Sequence, residues 1–257
     1  RRSQLIEAGD IDTYNEEDHV ENYNVRIYLT KEGYFKKITL QSLRGNDEQK
    51  LKEGDTMLST EDTDNLADII FVTDKAQLYR AKIADFECVK ASALGDYLPA
   101  KLNMDDGEKP VFMRIQKGYP AGENFVFIFE NGKGVRVPVT NYETKGNRRK
   151  LINAYSSASP IAAVFYEVEK DPYDIMLISS DDKAIVIKTS LIPIKNTRTS
   201  GGVTLMTLKK GNTLVEGLRD FEDKYDTSKG FKKIKIPATG QLLPDRSLSE
   251  RQLKIDT

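Results

Sequence analysis

"VRIYLTKEGYFKKITL" (25–40) decides the fold: it reads as a β-hairpin, and the chain then repeats it. Two β-rich apolar runs flank a polar turn, and the second run carries basic residues. Looser copies follow as "DIIFVTDKAQLYRAKI" (68–83), "NFVFIFENGKGVRVPV" (124–139) and "DIMLISSDDKAIVIKT" (174–189). With Gly33, Ala76, Gly132 and Asp182 as equivalent turn positions the steps are 43, 56 and 50 residues. A period of about 50 residues suits a blade of roughly four strands in a radial array. Between hairpins lie "KLKEGDTMLST", "KPVFMRIQ", "IAAVFYEVE" and "GVTLMTLKKGNTLVEGL", which supply the remaining strands. The expected fold is an all-β, propeller-like ring of about four complete blades. The fragments "RRSQLIEAG" (1–9) and "GFKKIKIPA" (230–238) are expected to pair as an incomplete closing fifth. Residues 1–20 then read as a linker and closing strand, 21–240 as the ring, and 241–257, which has no sustained period, as a flexible tail.

Composition narrows the class. At 257 residues the chain is long enough to bury a core without staples, and its single cysteine, Cys88, excludes an internal disulfide. With no charged-then-apolar leader at the start of the given sequence, this points to a cytoplasmic setting. No apolar run approaches the roughly 20 residues of a membrane span, so no membrane partner is expected. Lys and Arg number 39 against 40 Asp and Glu, so any polyanion site must come from local segregation of charge.

The segment "EDHVENYNVRIYLTKEGYFKKI" resembles the opening blade of the C-terminal domain of type IIA topoisomerase A subunits, the family of DNA gyrase and topoisomerase IV. Further matches are "LKEGD" (51–55), "VTDKAQLYRAKIADF" (72–86), "KASALGDYLPAKL" (90–102), "FENGKGVRVPVTNYETKGNRRKLINAY" (129–155) and "RTSGGVTLMTLKKG" (198–211). The resemblance implies a β-pinwheel whose rim binds and bends double-stranded DNA, in partnership with the B subunit and with the rest of the A subunit. It implies a bacterial, nucleoid-associated protein. It also implies no cofactor in this domain, with ATP and Mg2+ serving the full enzyme. The family's catalytic tyrosine follows an arginine, and this sequence contains no Arg-Tyr dipeptide. In gyrases the first blade carries a Gln-Arg-Arg-Gly-Gly-Lys-Gly box. Here "QSLRGNDEQK" (41–50) keeps Gln41, Arg44 and Gly45 but has Asn46, Asp47 and Glu48. That degeneration points to a topoisomerase IV-like or non-wrapping domain; a true wrapping gyrase domain and a propeller used for protein contact remain the alternatives.

A phosphate-reading rim needs Lys and Arg at intervals along a curved backbone. The outgoing hairpin strands offer Lys36 and Lys37, Arg80 and Lys82, Arg136, and Lys188. The loops after them offer Arg44 and Lys50, Lys90, the run "KGNRRK" with Lys145, Arg148, Arg149 and Lys150, and Lys195 with Arg198. The run is the densest basic segment, and only a loop lets its adjacent arginines reach one polyanion. His19 has no companion ligands at metal spacing, Cys88 reads as a core residue, and "MDDGEK" (104–109) and "SSDDK" (179–183) read as turns. There is no Walker-type phosphate loop and no converging titratable cluster of an enzyme site.

Overall fold

The computed structural model describes residues 20–144, 146, 148–227 and 230–243. Four hairpins stand where the repeat places them: β1 (Asn24–Thr30) with β2 (Tyr34–Thr39), β4 (Asp68–Thr73) with β5 (Leu78–Lys82), β8 (Glu123–Phe129) with β9 (Lys133–Pro138), and β12 (Asp174–Ser179) with β13 (Lys183–Lys188). The turns use φ > 0 at Gly33, Ala76, Gly132 and Asp182, the four positions aligned by sequence. A third strand lines the incoming side of each hairpin: β3 (Met57–Asp64), β7 (Pro110–Ile115), β11 (Ile161–Val168) and β16 (Leu214–Leu218). These four lie against one another in succession at the inner side of the array.

The outer strand of each of the first three blades is borrowed. The two-residue strands β6 (Asp96–Tyr97), β10 (Lys150–Leu151) and β14 (Val203–Thr204) each follow one hairpin yet pair antiparallel with the hairpin before it, on β2, β5 and β9. Three four-stranded blades linked by strand exchange and a fourth, five-stranded one result, the pinwheel arrangement. Among the described residues no hairpin follows the fourth blade. Its β13 is covered instead by β17 (Lys232–Lys233), running parallel, and by β19 (Gln241–Leu242). Between those two, β18 (Ala238–Thr239) pairs in parallel with β15 (Met206–Thr207) and fastens the end of the ring to the segment after β14. Residues 230–238 therefore complete the fourth blade, and their expected partner, 1–9, lies outside the described residues. Packing continues to Leu243, past position 240 where the sequence pattern stops.

Two-residue alternation explains why the hairpin strands are apolar on both faces. Ile69 and Phe71 pack with the first blade's Val25, Ile27 and Phe35, whereas Ile70 and Val72 pack with the third blade's Phe125 and Phe127. Val126 and Ile128 face the fourth blade's Ile175 and Leu177. Met176 and Ile178 are covered by Phe221, Phe231 and Leu243. The acidic segments do fold as turns. In the first, buried Glu108 receives Tyr79 Oη at 2.9 Å and the Asp105 amide at 2.8 Å. Cys88 is exposed, not core, with Sγ 3.3 Å from Tyr23 Oη. His19 lies outside the described residues, among which no helix is long and apolar enough to cross a membrane.

Candidate nucleic-acid interface

Four residues beyond each turn position, the hairpins carry Lys37, Arg80, Arg136 and Val186. The three bases share one task. Lys37 Nζ donates to the Ile83 carbonyl at 3.1 Å and to Asn65 Oδ1 at 2.9 Å. Arg80 donates to the Tyr142 carbonyl and, at 2.6 Å, to Thr144 Oγ1. Arg136 Nε donates to the Ile192 carbonyl at 2.6 Å. Those carbonyls belong to, or directly follow, the 3-10 turns Ile83–Asp85, Val139–Tyr142 and Thr189–Leu191, which come after the next hairpin each time. The base of one blade thus satisfies a turn of the next. No further blade follows that of Val186 among the described residues, and the position carries no charge.

This corrects the reading of three expected DNA contacts. Lys36 is 1% exposed, Lys37 3% and Arg136 8%. The outgoing strands β2 and β9 are covered on both faces, by the next blade and by incoming loops, so a cation there turns inward to carbonyls. Burial holds the Lys36 and Lys37 ammonium groups below the usual lysine range. Arg80 is half-buried, its guanidinium 5.0 Å from the centre of the Tyr119 ring.

The remaining bases reach the surface, and strand exchange decides where. The segment carrying Arg148 and Arg149 follows the third hairpin but is laid along β5 of the second blade, where Arg80 N donates to Arg149 O at 2.8 Å. Arg80, Lys82, Arg148 and Arg149 therefore line one cleft of about 430 Å³ together with Asp68, Asp85 and Tyr119. The Arg149 side chain is 77% exposed and only loosely opposed by Asp85 at 4.0 Å. Gly146, with φ +76° and open space around it, makes the loop conformation that adjacent arginines require. Lys145 lies outside the described residues. Lys150 leaves the cluster: its Nζ is 2.9 Å from Asp105 and near the Tyr79 ring, and the carboxylate holds its pKa above the ordinary value.

The same displacement operates elsewhere. Lys90, after the second hairpin, sits on the first blade beside Arg44 and Lys50, and all three are exposed. Lys195 and Arg198, after the fourth hairpin, sit on the third: Lys195 N donates to Arg136 O at 2.9 Å, and Arg198 to Asn141 O at 3.2 Å. Lys195 is exposed, Arg198 half-buried, and Lys188 exposed at the end of β13. No group of three or more metal-ligating side chains occurs among the described residues.

Residues 67–95 and 173–216 match the family model of the DNA gyrase C-terminal domain, beta-propeller. The DNA gyrase A subunit of Kosmotoga olearia is 25% identical over 228 residues, 84% of this chain and 27% of that protein. The DNA gyrase A subunit of Thermotoga maritima is 28% identical over 143 residues, 53% of this chain and 18% of that protein. The solved C-terminal domain of DNA topoisomerase IV superposes with a TM-score of 0.64 at 20% identity, covering 77% of this chain and 61% of that one. The E. coli ParC C-terminal domain gives 0.54 at 13%, covering 76% and 78%. The chain is thus similar in sequence to DNA gyrase A subunits and in fold to the C-terminal domains of topoisomerase IV. It spans about a quarter or less of the curated relatives' length.

One part of the basic surface is missed by the sequence reading. Lys232, Lys233 and Lys235 lie at the outer edge of the fourth blade, where the other blades carry a borrowed strand. Lys232 pairs with Asp174 at 2.6 Å and Lys233 caps the Gly230 carbonyl at 2.7 Å, while the Lys235 side chain lies on an exposed residue. The signal in the sequence is the run "KKIK" (232–235), which doubles as the blade-closing segment.

Proposed function

We propose that the domain binds duplex DNA along the outer edges of its blades and bends it, presenting it to the strand-passage core of a type IIA topoisomerase. The carrying observation is the convergence of Arg80, Lys82, Arg148 and Arg149, from two repeats, on one cleft at the rim of the second blade. Bases mounted on successive outer edges can follow a curved phosphate backbone, and among the described residues no helix is placed to read a major groove. Binding is accordingly insensitive to sequence. In the first blade, Asp47 and Glu48 are exposed beside Arg44 and Lys50 and oppose phosphate there, which favours partial bending over a closed chiral turn. Cleavage, ATP and Mg2+ belong to other parts of the assembled enzyme, whose further partners are the B subunit and the rest of the A subunit. Titration of a labelled duplex at several salt concentrations tests the reading. Affinity should fall steeply as salt rises; binding that is flat with salt, or absent at low salt, overturns it.

A further inference from the structure

Lys36 lies within the first blade and is almost inaccessible, yet its ammonium has no carboxylate partner among its hydrogen bonds. All three protons go to neutral oxygens: the Lys50 carbonyl at 2.6 Å, the Ala91 carbonyl at 3.0 Å and Gln49 Oε1 at 3.2 Å. Burying a cation is costly, and three well-placed acceptors offset that cost only while all three stay in place. The acceptors come from two loops that are otherwise unconnected in the chain, Ala91 standing 55 positions from Lys36. The Lys50 amide then donates to the Ala91 carbonyl at 2.9 Å, so one oxygen serves both. Apart from the Lys36 bond to Gln49 Oε1, the side-chain hydrogen bonds of Asn46 and Gln49 are local to the loop 44–50: Asn46 Oδ1 accepts from the Glu48 amide and Gln49 Nε2 donates to the Asp47 carbonyl. The corresponding hairpin positions elsewhere are Tyr79, Val135 and Ile185, so this hub is built only in the first blade.

The side chains carried on these two loops include Arg44, Lys50 and Lys90, all exposed. We propose that Lys36 is a positioning residue: it never touches DNA, but ties loop 44–50 to the loop around Ala91 so that Arg44, Lys50 and Lys90 form one phosphate-binding face. This rests on the DNA-binding reading above. The geometry separates two roles that adjacent lysines would share on an open strand: Lys37 braces one blade against the next, and Lys36 arranges the surface.

The test is a double-mutant cycle on the full 257-residue chain, read by titration with a labelled duplex at low salt. Lys36→Met keeps the alkyl volume and removes the donors; a triple variant, Arg44→Ala with Lys50→Ala and Lys90→Ala, removes the face. Lys36→Met should weaken binding by about fivefold and the triple variant by about tenfold or more. In the triple background Lys36→Met should add nothing, since its effect passes through those three side chains. Hydrogen exchange should show the Lys50 amide losing protection while the amides of β8 and β12 keep theirs. Additive losses, or parental affinity for Lys36→Met, overturn the proposal. So does a triple variant that binds like the parent. If Lys36→Met does not fold, Gln49→Ala, which removes one acceptor at the surface, enters the same cycle, and additivity there overturns the proposal equally. A parent chain that binds no duplex at any salt defeats the functional reading itself.

Discussion

Arg136 on β9 and Ile192, which directly follows the next repeat's 3-10 turn, are joined by a 2.6 Å hydrogen bond from Nε to the carbonyl oxygen. The same guanidinium donates to Glu167 Oε2 at 2.8 Å, and that carboxylate also accepts from Thr189 Oγ1 at 2.7 Å. A single buried cation therefore links β9 and β11 of the third blade to the turn that ends the fourth hairpin. Lys37 and Arg80 occupy the same hairpin position and perform the same reach between the earlier blades, so the repeat is mechanical as well as topological.

Replacing Arg136 by Met should be among the most damaging single changes in the chain. It leaves the Glu167 carboxylate buried without a cation and the Ile192 carbonyl without its donor, at a cost of about 3–5 kcal/mol. Lys37→Met abandons only neutral acceptors, Ile83 O and Asn65 Oδ1, and should cost about 1–3 kcal/mol. Urea unfolding followed by circular dichroism measures both. Equal losses would show that the ion pair adds nothing to the carbonyl cap.

Strand exchange depends on two glycines. Gly95, just before β6, has φ +87°, and a Cβ there would stand 2.2 Å from the Phe35 carbonyl oxygen; Gly202, just before β14, has φ +70° and would meet the Gly134 carbonyl at 2.1 Å. Alanine at either site must move backbone as well as adopt a left-handed conformation, costing at least about 2 kcal/mol. Gly54 has φ +78° with open space around it, so Gly54→Ala should cost about 1 kcal/mol. Thermal melting of the three variants separates the crowded positions from the open one.

The hairpins were legible because their turn residues and β-rich runs recur at a readable spacing, and all four turn positions hold. The exchange was not: Asp96–Tyr97, Lys150–Leu151 and Val203–Thr204 are two residues each, too short for a period. This is also why bases assigned to their own repeat, such as Arg148, stand on the preceding blade. Lys36, Lys37 and Arg136 misled for a second reason. A lysine or arginine in an alternating strand ordinarily marks the solvent face, and nothing local reveals that loops from other repeats will cover it. Cys88 erred in the opposite direction, since an apolar side chain gives no notice of lying on a borrowed, exposed segment.

Arg148→Ala with Arg149→Ala should weaken duplex binding and lower the slope of log affinity against log salt by roughly 2, one for each phosphate no longer neutralised. Arg136→Met, compared in the folded fraction, should leave that slope unchanged, because its guanidinium is committed inside the protein. Parallel salt titrations of the three chains decide it. A slope that falls for Arg136→Met but not for the double variant would reverse the assignment of structural and surface bases.

On the proposed function, the first blade sets how far DNA is carried round the rim. Loop 44–50 holds two exposed carboxylates, Asp47 and Glu48, next to the bases Arg44 and Lys50, so its local charge nearly cancels, while the second blade's cleft gathers four bases against two acids. Duplex should therefore be gripped at the second blade and released before it closes a turn over the first. Relaxed circular plasmid incubated with the domain and sealed by a nicking-closing enzyme should show little or no change in linking number, despite measurable binding. Asp47→Gly with Glu48→Lys removes both carboxylates and adds a cation, leaving Lys36 and its acceptors untouched. That variant should bind more tightly and, if charge at this loop is what prevents closure, produce a linking-number shift in one direction that grows with protein. A unidirectional shift from the parent chain would mean that another edge fastens the DNA and that the first-blade loop is not the limiting contact. Tighter binding by the variant without any shift would place the limit in the rise between blades, which a change of surface charge cannot alter.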